Sequence, residues 1–187
     1  MTDYASMNLA ELRRRYVADS TDAMPMAGAI CWAALAVTAY LLGDALPYWA
    51  ILVAPALPLP LAALIDKARG RPTVFEGDSK HPMTSLFMTF ISVIGVMIFF
   101  VIVAARAAES LAILAFGVGL LSGLIWVPYG WSAGDRVGIV QFFLRAGLCF
   151  AAYFFAPEPL KVAAIAAAVA VSYLHVLFFM KKPERAS

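Results

Sequence analysis

Charge is what this chain has least of. Asp, Glu, Lys and Arg make up 14% of its 187 residues, against about 25% in an ordinary soluble domain. That deficit excludes a water-exposed globule and calls for a solvent that does not reward charge. Histidine and cysteine are scarce as well, two of each, so no histidine-rich or thiolate metal centre is expected. Cys31 and Cys149 both lie in apolar runs, where a thiol acts as a small hydrophobe rather than as half of a disulfide. There is no H-E-x-x-H, no G-x-S-x-G and no phosphate-cradling glycine loop. Catalytic residues, metal and cofactor are therefore all expected to be absent, and no nucleic-acid partner is expected.

What is present is apolar. Hydrophobic residues make up 63% of the chain and the mean hydropathy is +0.84. They fall into six runs, residues 24–42, 49–65, 83–104, 110–128, 137–156 and 160–180, each close to the length of about 20 residues that crosses a bilayer. The expected fold is all-α, a polytopic membrane bundle of six transmembrane helices with a short N-terminal amphipathic helix. Residues 1–22 form a cytoplasmic N-terminal segment, 23–182 the transmembrane domain and 183–187 a cytoplasmic tail. Residues 1–22 are polar and basic and lack a small-residue cleavage pattern, so they do not read as a signal peptide.

Local signals fill in this frame. Asn8 and Glu11 have capping-box spacing. Leu9, Leu12 and Tyr16 then recur at helical spacing, which leaves Arg13, Arg14 and Arg15 to head groups or water. The second run contains Pro55, Pro58 and Pro60. Each proline removes a donor from the carbonyl four residues earlier, so this helix is expected to kink or unwind, leaving Ile51, Ala54 and Ala56 with under-bonded oxygens. Tyr129-Gly130-Trp131 reads as a turn bearing two interfacial aromatics. Ala115, Gly119 and Gly123, and again Ala164, Ala168 and Ser172, place small residues every four positions, a pattern that lets helices approach closely in lipid. The proline cluster has no counterpart in the fifth run, so an inverted repeat is not supported.

Basic residues set the orientation. Arg13, Arg14, Arg15, Lys67, Arg69, Arg71, Lys80, Arg136, Lys181, Lys182 and Arg185 fall on one side, and Arg106 and Lys161 on the other. By the positive-inside rule both termini are cytoplasmic. The loop at 66–82, with Asp66, Glu76, Asp78 and His81 among its bases, reads as an ordinary topology-setting loop, with anionic-lipid binding through Lys67, Arg69 and Arg71 as the alternative.

The fourteenth base is Arg145, inside the fifth run. A guanidinium there costs about 2.5–3.5 kcal/mol at a helix centre on insertion scales, which makes it the first place to look for function. Gln141, Arg145, Cys149 and Ala152 share one helix face. No acidic residue lies within any run, so the partner of Arg145 must be carbonyls, hydroxyls, water or a ligand. The carbonyls freed around Pro55 and Pro58 and the hydroxyls of Thr84, Ser85, Thr89 and Ser92 are the nominated acceptors. Two readings of Arg145 stand. In the structural one it snorkels past Gln141 to the cytoplasmic head groups, about 12 Å away along the axis, or is bonded within the bundle; in the functional one it forms a cationic site between helices that holds an anion. His175, one turn after Ser172, is a further candidate.

Three stretches carry a family likeness. They are Leu9-Ala10-Glu11-Leu12-Arg13-Arg14-Arg15-Tyr16 ahead of Met24-Pro25-Met26, the proline-rich run ending in Leu64-Ile65-Asp66-Lys67, and Pro128-Tyr129-Gly130-Trp131. Together they resemble a family of small bacterial multi-span integral membrane proteins of unknown function. The resemblance implies a compact multi-span bacterial protein and brings over no site residues; the expected location is a bacterial inner membrane. The expected function is binding or transport of a small anionic or amphipathic ligand, with Arg145, Gln141, Pro55, Pro58 and His175 as ligand-binding residues. The alternative is a structural or regulatory partner of another membrane protein or of a second copy. An intramembrane enzyme ranks behind both, because no acid–base pair exists. Membrane lipids are expected partners in every case.

Overall fold

The computed structural model describes residues 4–73, 75–76 and 80–181. Lys182, Arg185, the expected tail at 183–187 and Asp78 lie outside the described residues. Within them the chain is helical, with no strand. Nine α-helices follow in order: α1 Leu9–Ala18, α2 Ala23–Leu42, α3 Tyr48–Ala56, α4 Pro58–Ala68, α5 Pro82–Ala107, α6 Leu111–Leu124, α7 Trp126–Ala133, α8 Val137–Phe155 and α9 Lys161–Phe179. Five stretches are long and apolar enough to cross a membrane: α2, α5, α6 with α7, α8, and α9. A sixth is made if α3 and α4, bent by 43° at their junction, count as one. This is consistent with a multi-pass membrane protein.

The cap of α1 forms as its spacing requires. The Asn8 side chain accepts the Glu11 N–H at 2.9 Å, a contact worth about 1 kcal/mol to a helix start. The α3–α4 bend falls on the proline cluster, with Pro55 inside α3 and Pro58 opening α4. The missing donors explain why the ladder breaks there. At its far end α4 is tied back to α2 by polar contacts. The Thr21 hydroxyl donates to the carboxylate of buried Asp66, 2.7 Å from Oδ2, and also accepts the Ala23 N–H at the start of α2. Asp22 Oδ1 accepts from Arg69 at 3.2 Å and from Arg71 at 2.6 Å.

The centre of the bundle is α9, packed against α2, α6 and α8. Of these helices α6 is the most enclosed: Leu114, Ala115, Val118, Gly119, Ser122 and Gly123 are all buried. The small-residue pattern Ala115, Gly119, Gly123 therefore marks a true packing face. Helix α5 lies at the periphery, with only Met83, Ile94 and Ala105 buried along its 26 residues.

The chain around Tyr129 departs from expectation. Tyr129-Gly130-Trp131 is not a turn but part of helix α7, and the reversal comes later, at Gly134 with φ +62°. Gly130 serves close approach instead: a Cβ placed on it would lie 2.9 Å from the Cα of Gly138 on α8. Two glycines meeting backbone to backbone let the α7–α8 hairpin close without side chains between its helices. Asp135 completes the hairpin by accepting the Val137 N–H at 3.0 Å and so capping α8.

Candidate functional site

Helix α8 buries four residues, Gly138, Gln141, Arg145 and Cys149. They recur at intervals of three or four and so form the single face that the sequence marks. That face is pressed between α6 and α9, and Gln141, Arg145 and Cys149 are each 0% exposed. Arg145 does not snorkel. Its guanidinium turns sideways into the bundle, where Nε donates to Ser172 Oγ at 2.9 Å and an Nη to Ser122 Oγ at 3.3 Å.

Both serines are oriented to receive these bonds. Ser172 donates its hydroxyl proton to the Val169 carbonyl at 2.6 Å, and Ser122 donates to the Gly119 carbonyl at 2.9 Å. With each proton held by its own helix, the oxygen lone pairs point at the cation. Ser172 also accepts the Gln141 amide at 3.0 Å, so its one proton and two lone pairs are all used. The Tyr173 ring covers the guanidinium, its centroid 4.3 Å from Cζ, a cation–π contact made in a desolvated setting. Space for the side chain comes from Gly123, where an added Cβ would lie 2.8 Å from Arg145 Cδ.

Two polar atoms at this site are buried without a partner, Arg145 Nη2 and Gln141 Oε1. The one is a charged donor and the other an acceptor. Every group that touches the guanidinium is neutral, so the positive charge has no counter-ion among its described contacts.

The acceptors are not those nominated from sequence. They come from α6 and α9, whereas two of the nominated α5 hydroxyls are turned to their own helix, Thr89 to the Ser85 carbonyl at 2.9 Å and Ser92 to the Met88 carbonyl at 3.0 Å, both exposed, and neither Thr84 nor Ser85 has a described contact with Arg145. Pro55 and Pro58 stand on α3 and α4, which pack on α2, on α6 and on each other; neither has a described contact with Arg145. His175 is half-buried on α9, its ring 5.3 Å from that of Phe179 and its Nδ1 buried without a partner. It makes no bond to Ser172. Sequence reasoning missed Ser122, Tyr173 and Gly123 as parts of the Arg145 site. The available signal was that Ser122 is the one hydroxyl in the middle of the fourth apolar run, Ser110 standing at its start, and lies beside the glycine pattern.

A second polar group lies where α1 meets the ends of α5 and α7. Tyr16 packs near His81 and Tyr129, with ring centroids 6.0 and 6.1 Å apart. Arg13 stacks over Trp131 at 5.2 Å. Burial, and behind it the neighbouring Tyr129, push the Tyr16 phenol well above its usual range. His81 is almost fully buried, and its Nδ1 accepts the Met83 N–H at 3.2 Å, which caps α5. Among the described residues no group of His, Cys, Asp and Glu is placed to hold a metal ion.

No curated protein and no solved structure matches the chain. A family model described as a family of unknown function (DUF7010) matches residues 9–182. The chain therefore belongs to that family of unknown function.

Proposed function

We propose that the protein binds, and moves within the membrane, a small anionic or amphipathic ligand held at Arg145 and Gln141. One observation carries this reading: a fully buried guanidinium whose described contacts are all neutral, with one Nη and the adjacent amide oxygen unpartnered. Breaking a buried ion pair by removing its partner costs about 3–5 kcal/mol because the remaining charge is uncompensated. An anion entering here would supply that compensation by accepting from Arg145 Nη2, and the second amide N–H of Gln141, whose first goes to Ser172, is the donor left to orient it. The setting we propose is a bacterial inner membrane, with both termini cytoplasmic and His175 at the cytoplasmic side of the site. Purified protein should gain thermal stability with a small anion or an anionic amphiphile. Arg145→Gln should remove that gain while the protein stays folded. A gain retained in the variant would refute the reading.

A second reading is favoured by α5. Its exposed Phe99, Phe100 and Val103 would then meet a membrane-protein partner or a second copy rather than lipid alone. Cysteines placed singly along that face should cross-link in native membranes at helical periodicity. Uniform absence of cross-linking would remove this alternative.

A further inference from the structure

We infer that the seam between α2 and α9 is the route by which an anion with an apolar tail reaches Arg145, and that Tyr173 is the gate on it. This rests on the anion-binding reading of Arg145 and adds the ligand's class and its path. At one end of the seam lies a crevice of about 190 Å³, lined by Asp22, Pro25, Met26, Arg69, Val176, Leu177 and Met180. Its charged lining residues are Asp22 and Arg69. A single oxygen of Asp22 faces both Arg69 and Arg71, and the other nearby carboxylate, Asp66, is buried against Thr21. The floor is apolar, made of Met26, Val176, Leu177 and Met180. A rim where two guanidiniums share one carboxylate, over an apolar floor, suits an anionic head group carrying a hydrocarbon chain.

The two walls converge on one contact. On α9, Val176, Leu177 and Met180 follow Tyr173 at three, four and seven residues, so they continue its face. On α2, Asp22 and Pro25 precede Gly28 by six and three. Where the walls meet, the Tyr173 ring is seated on Gly28: a Cβ there would lie 2.6 Å from the phenol oxygen. The same ring stacks on the Arg145 guanidinium at 4.3 Å and meets Trp126 edge-on at 6.0 Å. An incoming molecule therefore meets tyrosine before it meets arginine. The ring gives up its contact with the cation when an anion takes its place, and the bare backbone of Gly28 is the surface along which it moves.

The test uses the full chain in phosphatidylcholine nanodiscs, with dodecyl phosphate and dodecanoate as probes and inorganic phosphate as the tail-less control. Both crevice residues to be enlarged, Met26 and Leu177, are only half-buried, so a larger side chain can extend outward rather than into the core. Leu177→Trp and Met26→Trp should each slow association and dissociation by about tenfold, as expected when a gate rather than a site is altered. Affinity should stay within about twofold, since both rates change together. Tyr173→Leu should speed both rates. Unchanged rates in both tryptophan variants, with Arg145→Gln still abolishing binding, would overturn the route and leave the Arg145 reading intact. Binding that survives Arg145→Gln would overturn the underlying reading instead. Inorganic phosphate binding as tightly as dodecyl phosphate would overturn the amphiphile class.

Discussion

At the scale of single residues, the Arg145 site depends on what surrounds the cation as much as on the cation. Ser172 takes two donors at once, from Gln141 and Arg145, so its removal strands both. Ser172→Ala should lower stability by about 1–3 kcal/mol, the cost of buried donors left without an acceptor. Gly123→Ala acts differently. It adds a methyl group 2.8 Å from Arg145 Cδ, and overpacking of this kind costs about 1–3 kcal/mol. Thermal unfolding in detergent reads both effects. Shortening the neighbour by Arg145→Gln should rescue Gly123→Ala, whose loss is a matter of space, and Ser172→Ala only in part, because Gln141 still lacks its acceptor. Arg145 itself was legible in the sequence, as a charge in an apolar run, and so was its helix face. Its acceptors were not. Which hydroxyl a guanidinium reaches depends on how three helices are rotated about their axes, and each of those runs is apolar on nearly every side, so periodicity carries little of that information.

Among the elements, the α3–α4 bend was legible because proline acts on the backbone locally, whatever the rest of the fold does. The α7 helix was not. A glycine between two aromatics looks the same in sequence whether it opens a turn or admits another backbone, and Gly130 does the second against Gly138. Helix α1 carries a prediction of its own. The Tyr16 phenol has its pKa raised in the folded protein by burial and by Tyr129. A group raised in this way binds its proton more tightly folded than unfolded, so its contribution is complete below the unfolded value of about 10 and is lost as pH rises above it. Limited proteolysis near Asp19 should therefore accelerate once the pH exceeds about 10. In Tyr16→Phe, which has no proton to lose, that acceleration should be weaker. Equal acceleration in both proteins would assign the effect to other groups.

For the molecule as a whole, the predicted orientation is testable by access from the two sides. The only two bases on the opposite side each lie over a tyrosine, Arg106 over Tyr48 at 4.1 Å and Lys161 over Tyr153 at 5.2 Å, as interfacial anchors do. A cysteine at Asp44 should react with a membrane-impermeant thiol reagent from outside intact cells, and one at Lys67 only after lysis. The native Cys31 and Cys149 are buried and should stay silent in both. The reverse pattern would invert the topology and place the Arg69 crevice on the outer face. Five of the six apolar runs match stretches long and apolar enough to cross a membrane, and the second matches the bent pair α3 and α4, because length and hydropathy decide such a helix.

One further consequence follows from the two serine protons. A proton wire needs each hydroxyl to receive on one side while it releases on the other. Ser122 and Ser172 both release to carbonyls of their own helices, Gly119 and Val169, and both face the same cation. In this arrangement neither hydroxyl leads a hydrogen ion to a further side chain. The guanidinium at the heart of the bundle is thus held by two hydroxyls that lead away from it only to backbone carbonyls.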